Sequence, residues 1–205
     1  MKLLTTVGLK HEDFSVAFSL SEFSGIEHFV AREEELAEIH RTLSSDVSRR
    51  TVILHGLGGI GKTQLSIEYA KRQKDNYSAI FWLNIKDEDS LKQSFADIAK
   101  QILREHPSAS RLSSVDMKGN LDEVVDAVKA WLSLPNNTRW LIIYGNYDNP
   151  NLPNTIDPTE VDIRKFLPES YQGAVIITTR SFRVRSGHGI QVGKLKDVQD
   201  SLRIL

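Results

Sequence analysis

Two kinds of apolar text alternate along the chain. Short continuous runs, TVILH (51–55), SAIFWLN (78–84), RWLIIY (139–144), GAVIITTR (173–180) and GIQVGKL (189–195), have the length and β-rich content of strands. Between them, apolar positions recur at helical spacing. REEELAEIHRTL sets Leu36, Ile39 and Leu43 on one face and carries its acidic residues early, where the helix dipole favours them. KTQLSIEYAKRQK (62–74) follows the first strand as a helix. SLKQSFADIAKQILREH (90–106) aligns Leu91, Phe95, Ile98, Ile102 and Leu103, and LDEVVDAVKAWLSL (121–134) aligns Leu121, Val124, Val125, Val128 and Leu132. DIRKFLP (162–168) reads as a short helix, and a loop rich in Asn, Pro and Asp precedes it. Residues 1–27 show no sustained period and are expected to form an extension or a loosely packed arm on a domain spanning 28–205.

The strand runs are apolar throughout rather than at every second position. That pattern predicts a sheet covered on both faces, hence parallel strands joined by crossover helices: an α/β fold. Ligands on such sheets sit beyond the carboxyl ends of the strands. The loops after His55, Asn84, Tyr144 and Arg180 are therefore the places where chemistry is expected.

Composition narrows the function classes. With 205 residues, 40% hydrophobic and 26% charged, the chain has the make-up of one globular domain. A formal net charge of −1 offers no overall field for nucleic acid, so anion binding must come from a local site. There is no cysteine, which excludes disulfides, cysteine nucleophiles and cysteine-ligated zinc. The six histidines show no metal-ligand spacing. No run approaches the ~20 apolar residues of a membrane span. The expectation is a soluble, cytoplasmic protein whose partners include neither nucleic acid nor membrane. Trp82, Trp131 and Trp140 lie inside apolar runs and are expected in the core rather than as a stacking platform for bases.

The turn after the first strand carries two overlapping patterns. Gly56, Gly58 and Gly61 satisfy the dinucleotide fingerprint G-x-G-x-x-G, while Gly56, Gly61, Lys62 and Thr63 satisfy the P-loop G-x-x-x-x-G-K-[ST]. The P-loop reading accounts for each fixed residue. The glycines let backbone N–H groups turn inward around phosphate oxygens, Lys62 supplies a point charge between the β- and γ-phosphates, and the Thr63 hydroxyl is a Mg²⁺ ligand. The helix beginning there adds its positive end. The dinucleotide reading leaves Lys62 and Thr63 unexplained and wants a carboxylate at the end of the second strand, where Asn84 stands.

Several segments around this loop resemble one family. HFVAREEELAEI is similar to its HFVGREEEL-type entry, HGLGGIGKTQLSIEYA to its P-loop and following helix, FWLN to its second strand, WLIIYGNYDNP to its WLLIYDNxD-type Walker B strand and GAVIITTR to its GSxIITTR sensor strand. The family is the NB-ARC domain of the STAND ATPases, the nucleotide switch of NOD-like receptors, plant resistance proteins and apoptotic scaffolds. The DIRKFLP and YQGAVIITTRS text is most similar to the fungal branch that often carries tetratricopeptide repeats.

The resemblance covers residues 28–205. It implies a three-layer P-loop NTPase fold of the ASCE/AAA-like type, a five-stranded parallel sheet of order 5-1-4-3-2, and an ADP/ATP switch. It places the nucleotide against Val30, Arg32, Gly56, Gly58, Gly59, Ile60, Gly61, Lys62, Thr63, Gln64 and Arg180. Arg180 would read the γ-phosphate by a charge-assisted hydrogen bond, against the alternative of a solvated strand-end arginine. Val30 and Arg32 would lie near base and ribose, against the alternative that Arg32 is a solvated helix-start residue. Partners implied are an adenine nucleotide and either a homo-oligomer or the effector or repeat domain of a longer relative.

Three departures qualify that pattern. Ala31 replaces the glycine of the entry motif. The chain ends at SLRIL, before the helical and winged-helix subdomains that would close over the nucleotide. Gly145 stands where the Walker B aspartate should hold Mg²⁺ and order the attacking water. Asp148 lies three residues further on; on an extended chain it starts roughly 10 Å beyond the needed point, so only a loop that folds back returns it, and its alternative role is capping the turn before Pro150. The expectation is weakened Mg²⁺ binding and weak or absent hydrolysis, with Asp148 the one weak catalytic candidate. The rival readings are a degenerate interaction module without useful nucleotide binding, and an NAD-dependent enzyme.

Overall fold

The computed structural model describes residues 14–18, 29, 32–45, 50–109, 111–117, 119–148 and 161–194. Five strands form one sheet: β1 (Arg50–His55), β2 (Ala79–Asn84), β3 (Trp140–Gly145), β4 (Ala174–Thr179) and β5 (His188–Gln191). Among the described residues there are four α-helices: α1 (Glu33–Leu43) ahead of β1, α2 (Lys62–Arg72) between β1 and β2, and α3 (Glu88–Glu105) and α4 (Leu121–Leu132) between β2 and β3. Every strand pair is parallel and the order is β2-β3-β4-β1-β5, the order implied by the resemblance read from its other edge. DIRKFLP contains a single 3-10 turn, Ile163–Phe166.

The continuous apolar runs are explained by two cores. Alternate strand residues point to opposite faces. Val52, Leu54, Ile80, Leu141, Ile143 and Ile176 pack under α1 and α2 with Leu36, Ile39, Leu65 and Tyr69. Their neighbours Ile53, Phe81, Leu83, Ile142, Tyr144, Val175 and Ile177 pack against α3 and α4. The fold therefore has three layers. Trp140 is fully buried and its indole Nε1 donates to the Leu132 carbonyl at 2.9 Å, and Trp131 is also in the core. Trp82 is half-buried, on the α2 side of the edge strand β2.

The described part of the N-terminal segment differs from a loosely packed arm. Phe14 and Val16 are buried in the α3/α4 core, Phe14 meeting the Trp131 ring edge-on at 5.8 Å. The Val16 N–H donates to the Ser78 carbonyl at 2.9 Å, just ahead of β2, and the His106 ring lies 2.8 Å from the Ser15 carbonyl oxygen. The sequence gives no period here because five residues are too few to show one.

Candidate functional site

β1 ends at His55, and the next six residues turn the chain into α2. Gly59 and Gly61 have φ of 73° and 97°, left-handed values that side chains disfavour. Gly56 is needed for a different reason: a Cβ there would lie 2.5 Å from the Val192 carbonyl oxygen, where the loop passes the end of β5. Gly61 precedes α2 and no side chain caps the helix. The first turns of α1, α3 and α4 all carry acidic residues, whereas that of α2 carries none. The free N–H groups and positive end of α2 thus face an opening that no acidic residue of the helix's own first turn neutralises.

That opening is a cavity of about 300 Å³ lined by Gly58 through Gln64 together with Asn146, Asp148, Thr178 and Arg180. Lys62 is 9% exposed, and its Nζ donates to the carbonyls of Gly56 at 2.9 Å and Leu57 at 2.8 Å. Burial pushes the pKa of its ammonium below the ordinary lysine value; Asp148 opposes this, and Arg180 adds to it. An anion entering the cavity would favour the charged form further. Thr63 and Gln64 line the same wall, and the Ile60 N–H has only a long 3.4 Å bond to Leu57.

Sheet order brings the other walls together. β4 lies between β1 and β3, so Thr178 and Arg180 stand between the phosphate loop and the end of β3. The chain leaving β3 does not stay extended. Asn146 has φ of 63°, the Asp148 N–H donates to the Asn146 carbonyl at 2.8 Å, and the segment is pinned to β4. Asn146 N–H donates to Thr178 Oγ1 at 3.0 Å and Tyr147 N–H to the Thr178 carbonyl at 2.9 Å, while Thr179 Oγ1 donates to the Tyr147 carbonyl at 2.5 Å. This turn returns Asp148 to the wall that Lys62 and Thr63 line, which the extended-chain estimate did not foresee. The Asp148 carboxylate accepts from the Arg180 backbone N–H at 2.7 Å and from the Arg180 Nε at 2.6 Å. Arg180 is exposed at the cavity rim, where it forms an ion pair with Asp148.

Arg32 is not a solvated helix-start residue. Its side chain is 8% exposed, and it donates to the carbonyls of Ile60 at 2.9 Å and Gly193 at 3.0 Å and pairs with Glu35 at 3.1 Å. Val30, expected beside it, lies outside the described residues, as does Ala31. Asn146, which sequence reasoning passed over, lines the cavity and donates through Nδ2 to Asn84 Oδ1 at 3.1 Å. Its place one residue after the Walker B position was the available signal.

A parallel three-layer sheet with a glycine-formed loop, a buried lysine and a helix N-terminus at its carboxyl edge defines a P-loop NTPase-type nucleotide-binding domain. The comparisons with known proteins give the family. The NB-ARC domain model matches residues 32–134, half of the chain, and the chain belongs to that family. A nucleotide-binding leucine-rich repeat (NLR)-like protein of Hyaloscypha variabilis is 26% identical over 94% of this chain. The chain spans 19% of that relative's length. The crystal structure of Cdc6p from Pyrobaculum aerophilum aligns with 87% of this chain and 50% of its own, at a TM-score of 0.49 and 13% identity.

The phosphates of a nucleotide fit this site; for the metal that the family implies, the described side chains supply only part of the expected set. Thr63 offers one hydroxyl, Gly145 offers no side-chain oxygen, and both oxygens of Asp148 accept from Arg180. Among the described residues no three His, Cys, Asp or Glu side chains cluster as a metal site. No described helix is long and apolar enough to cross a membrane.

Proposed function

We propose that this domain is an ADP/ATP-binding switch module of the STAND type in which hydrolysis is weak or absent. The observation that carries this reading is the phosphate loop itself, with Lys62 buried behind left-handed glycines at an uncapped helix N-terminus. Lys62 would hold the β-phosphate and the N–H groups of Gly58, Gly59, Ile60 and Gly61 would cradle the oxygens. Thr63 would serve what metal binding remains, and Arg180 would meet the γ-phosphate on leaving Asp148. Phosphoryl transfer depends on positioning and charge neutralisation, so loss of the Gly145 carboxylate weighs on hydrolysis more than on binding. The longer NLR-like relative, of which this chain spans 19%, supports placement of the domain within a larger protein; in this reading that protein is a cytoplasmic signalling protein whose other parts supply effector or assembly functions.

Titration of the purified domain with fluorescent ADP and ATP tests this. Saturable binding is expected, weakened about 10–100-fold by Lys62→Ala, since hydrogen bonds to charged groups contribute about 1.5–3 kcal/mol. Binding that ignores Lys62→Ala overturns the assignment. A folded protein that binds neither nucleotide supports the degenerate interaction module, which Gly145 favours. The NAD-dependent alternative has no ribose-binding carboxylate at the end of β2, where Asn84 is already bonded to Asn146.

A further inference from the structure

Gly145 is more than a missing carboxylate. It ends β3 opposite Asn84, two residues along the edge strand from Trp82. It is buried, and the space above its Cα is filled. A Cβ built there would lie 2.7 Å from Cζ2, 3.0 Å from Cε2 and 3.1 Å from Nε1 of Trp82. All three atoms belong to one edge of the indole, so the ring as a whole would have to swing away. The backbone at this point is also held, because the Ile85 N–H donates to the Gly145 carbonyl at 2.8 Å. A side chain at 145 therefore meets the tryptophan, not open cavity.

From this contact we infer that Trp82 and Gly145 act as a pair that closes the metal-binding position, so that the site takes a nucleoside di- or triphosphate with little dependence on a divalent cation. The inference rests on the nucleotide-binding reading above. Asp148 does not stand in for it, because its Oδ1 accepts from the Arg180 backbone N–H at 2.7 Å, a bond that remains when the Arg180 side chain turns to the phosphates. The charge that Mg²⁺ would neutralise falls instead to Lys62, Arg180 and the N-terminus of α2. Trp82 is in this sense a specificity-determining residue. It acts through the space it occupies rather than by touching the phosphates.

The test is a cycle of four proteins: wild type, Gly145→Asp, Trp82→Ala and the double variant. Each is measured by thermal unfolding without nucleotide, and by fluorescent ADP and ATP titration in EDTA and in excess Mg²⁺. In the wild type, affinity is expected to change less than about threefold between the two conditions. Gly145→Asp alone is expected to lower the unfolding midpoint and gain little from Mg²⁺. Adding Trp82→Ala is expected to restore part of the midpoint and to give the double variant a Mg²⁺-dependent tightening of about tenfold or more, the scale of a metal-orienting carboxylate.

Gly145→Asp with an unchanged midpoint and a full Mg²⁺ effect overturns the inference, as does a wild type already tightened tenfold by Mg²⁺. A midpoint loss that Trp82→Ala does not relieve also overturns it. Absence of nucleotide binding in all four folded proteins overturns the proposed function instead, and the unfolding cycle still reports whether Trp82 and Gly145 are coupled.

Discussion

Replacing Asp148 by Asn separates two roles that the cavity wall allows. In the structure this carboxylate holds the Arg180 backbone N–H at 2.7 Å and its Nε at 2.6 Å. The arginine side chain is 63% exposed, so the ion pair contributes only about 0.2–1 kcal/mol. The backbone bond survives in Asn with a neutral acceptor, at roughly half its strength. Together the substitution should cost about 1–2 kcal/mol, which for a chain of this size is a fall of about 2–8 °C in the unfolding midpoint. Anion binding should move the other way. Asp148 places a like charge in the wall that would receive phosphates, and removing one such charge from a partly screened cavity contributes about 1 kcal/mol, roughly fivefold in affinity. The freed Arg180 should make the gain larger for ATP than for ADP. Thermal unfolding and nucleotide titration in EDTA measure both quantities on the same samples. If Asp148→Asn weakens ATP binding tenfold, or abolishes a Mg²⁺-dependent turnover present in the wild type, the carboxylate serves ligand or metal rather than Arg180 and the reasoning fails.

Other residues give sharper stability tests. Phe14→Ala should cost about 2 kcal/mol in chemical denaturation, less than the 3–5 kcal/mol of a fully enclosed phenylalanine because the segment can undock; a loss below about 0.5 kcal/mol would place Phe14 outside the core. Gly173→Ala combines a left-handed φ of 67° with a Cβ driven into the buried Trp140 ring. It should destabilise by about 2–4 kcal/mol, and a near-neutral midpoint would contradict the packing there. Asp87 caps α3 by accepting from the Ser90 N–H at 2.7 Å, and its hydrogen bonds to Ser90 hold its pKa below the ordinary 3.8. Its stabilisation is therefore present above pH 3.8 and is lost as pH falls through the lowered folded value. The midpoint gap between wild type and Asp87→Ala should close in acid; a gap that persists unchanged would point to a role other than the charged cap.

The strands and the phosphate loop were legible because each depends on local pattern. A run such as LIIY must be buried on both sides, and Gly-Lys-Thr after a strand has few other uses. Asp148 was misjudged because distance along an extended chain says nothing once one residue, Asn146, adopts a left-handed turn. Asparagine tolerates that conformation better than most residues, so the NYDNP text held the signal without the direction of the turn. The Trp82–Gly145 contact is diagonal across two strands and depends on a rotamer, which no spacing reveals. Arg32 was legible as a charge at a helix start, but its two carbonyl partners lie 28 and 161 residues away and only the fold brings them together.

Those two bonds make Arg32 a mechanical tie. One guanidinium nitrogen holds both the Ile60 carbonyl in the phosphate loop and the Gly193 carbonyl where the chain leaves β5. A shift of the loop cannot lengthen one bond without disturbing the geometry of the other. Each such bond contributes about 1.5–3 kcal/mol, the same range as the coupling free energies that link distant sites in allosteric proteins. Beside the backbone bond from the Val192 N–H to the His55 carbonyl at 2.8 Å, Arg32 thus gives the Gly193 carbonyl a second link to the phosphate loop, and a lysine at position 32, with one ammonium in place of the planar fork, would loosen that linkage while leaving the charge in place.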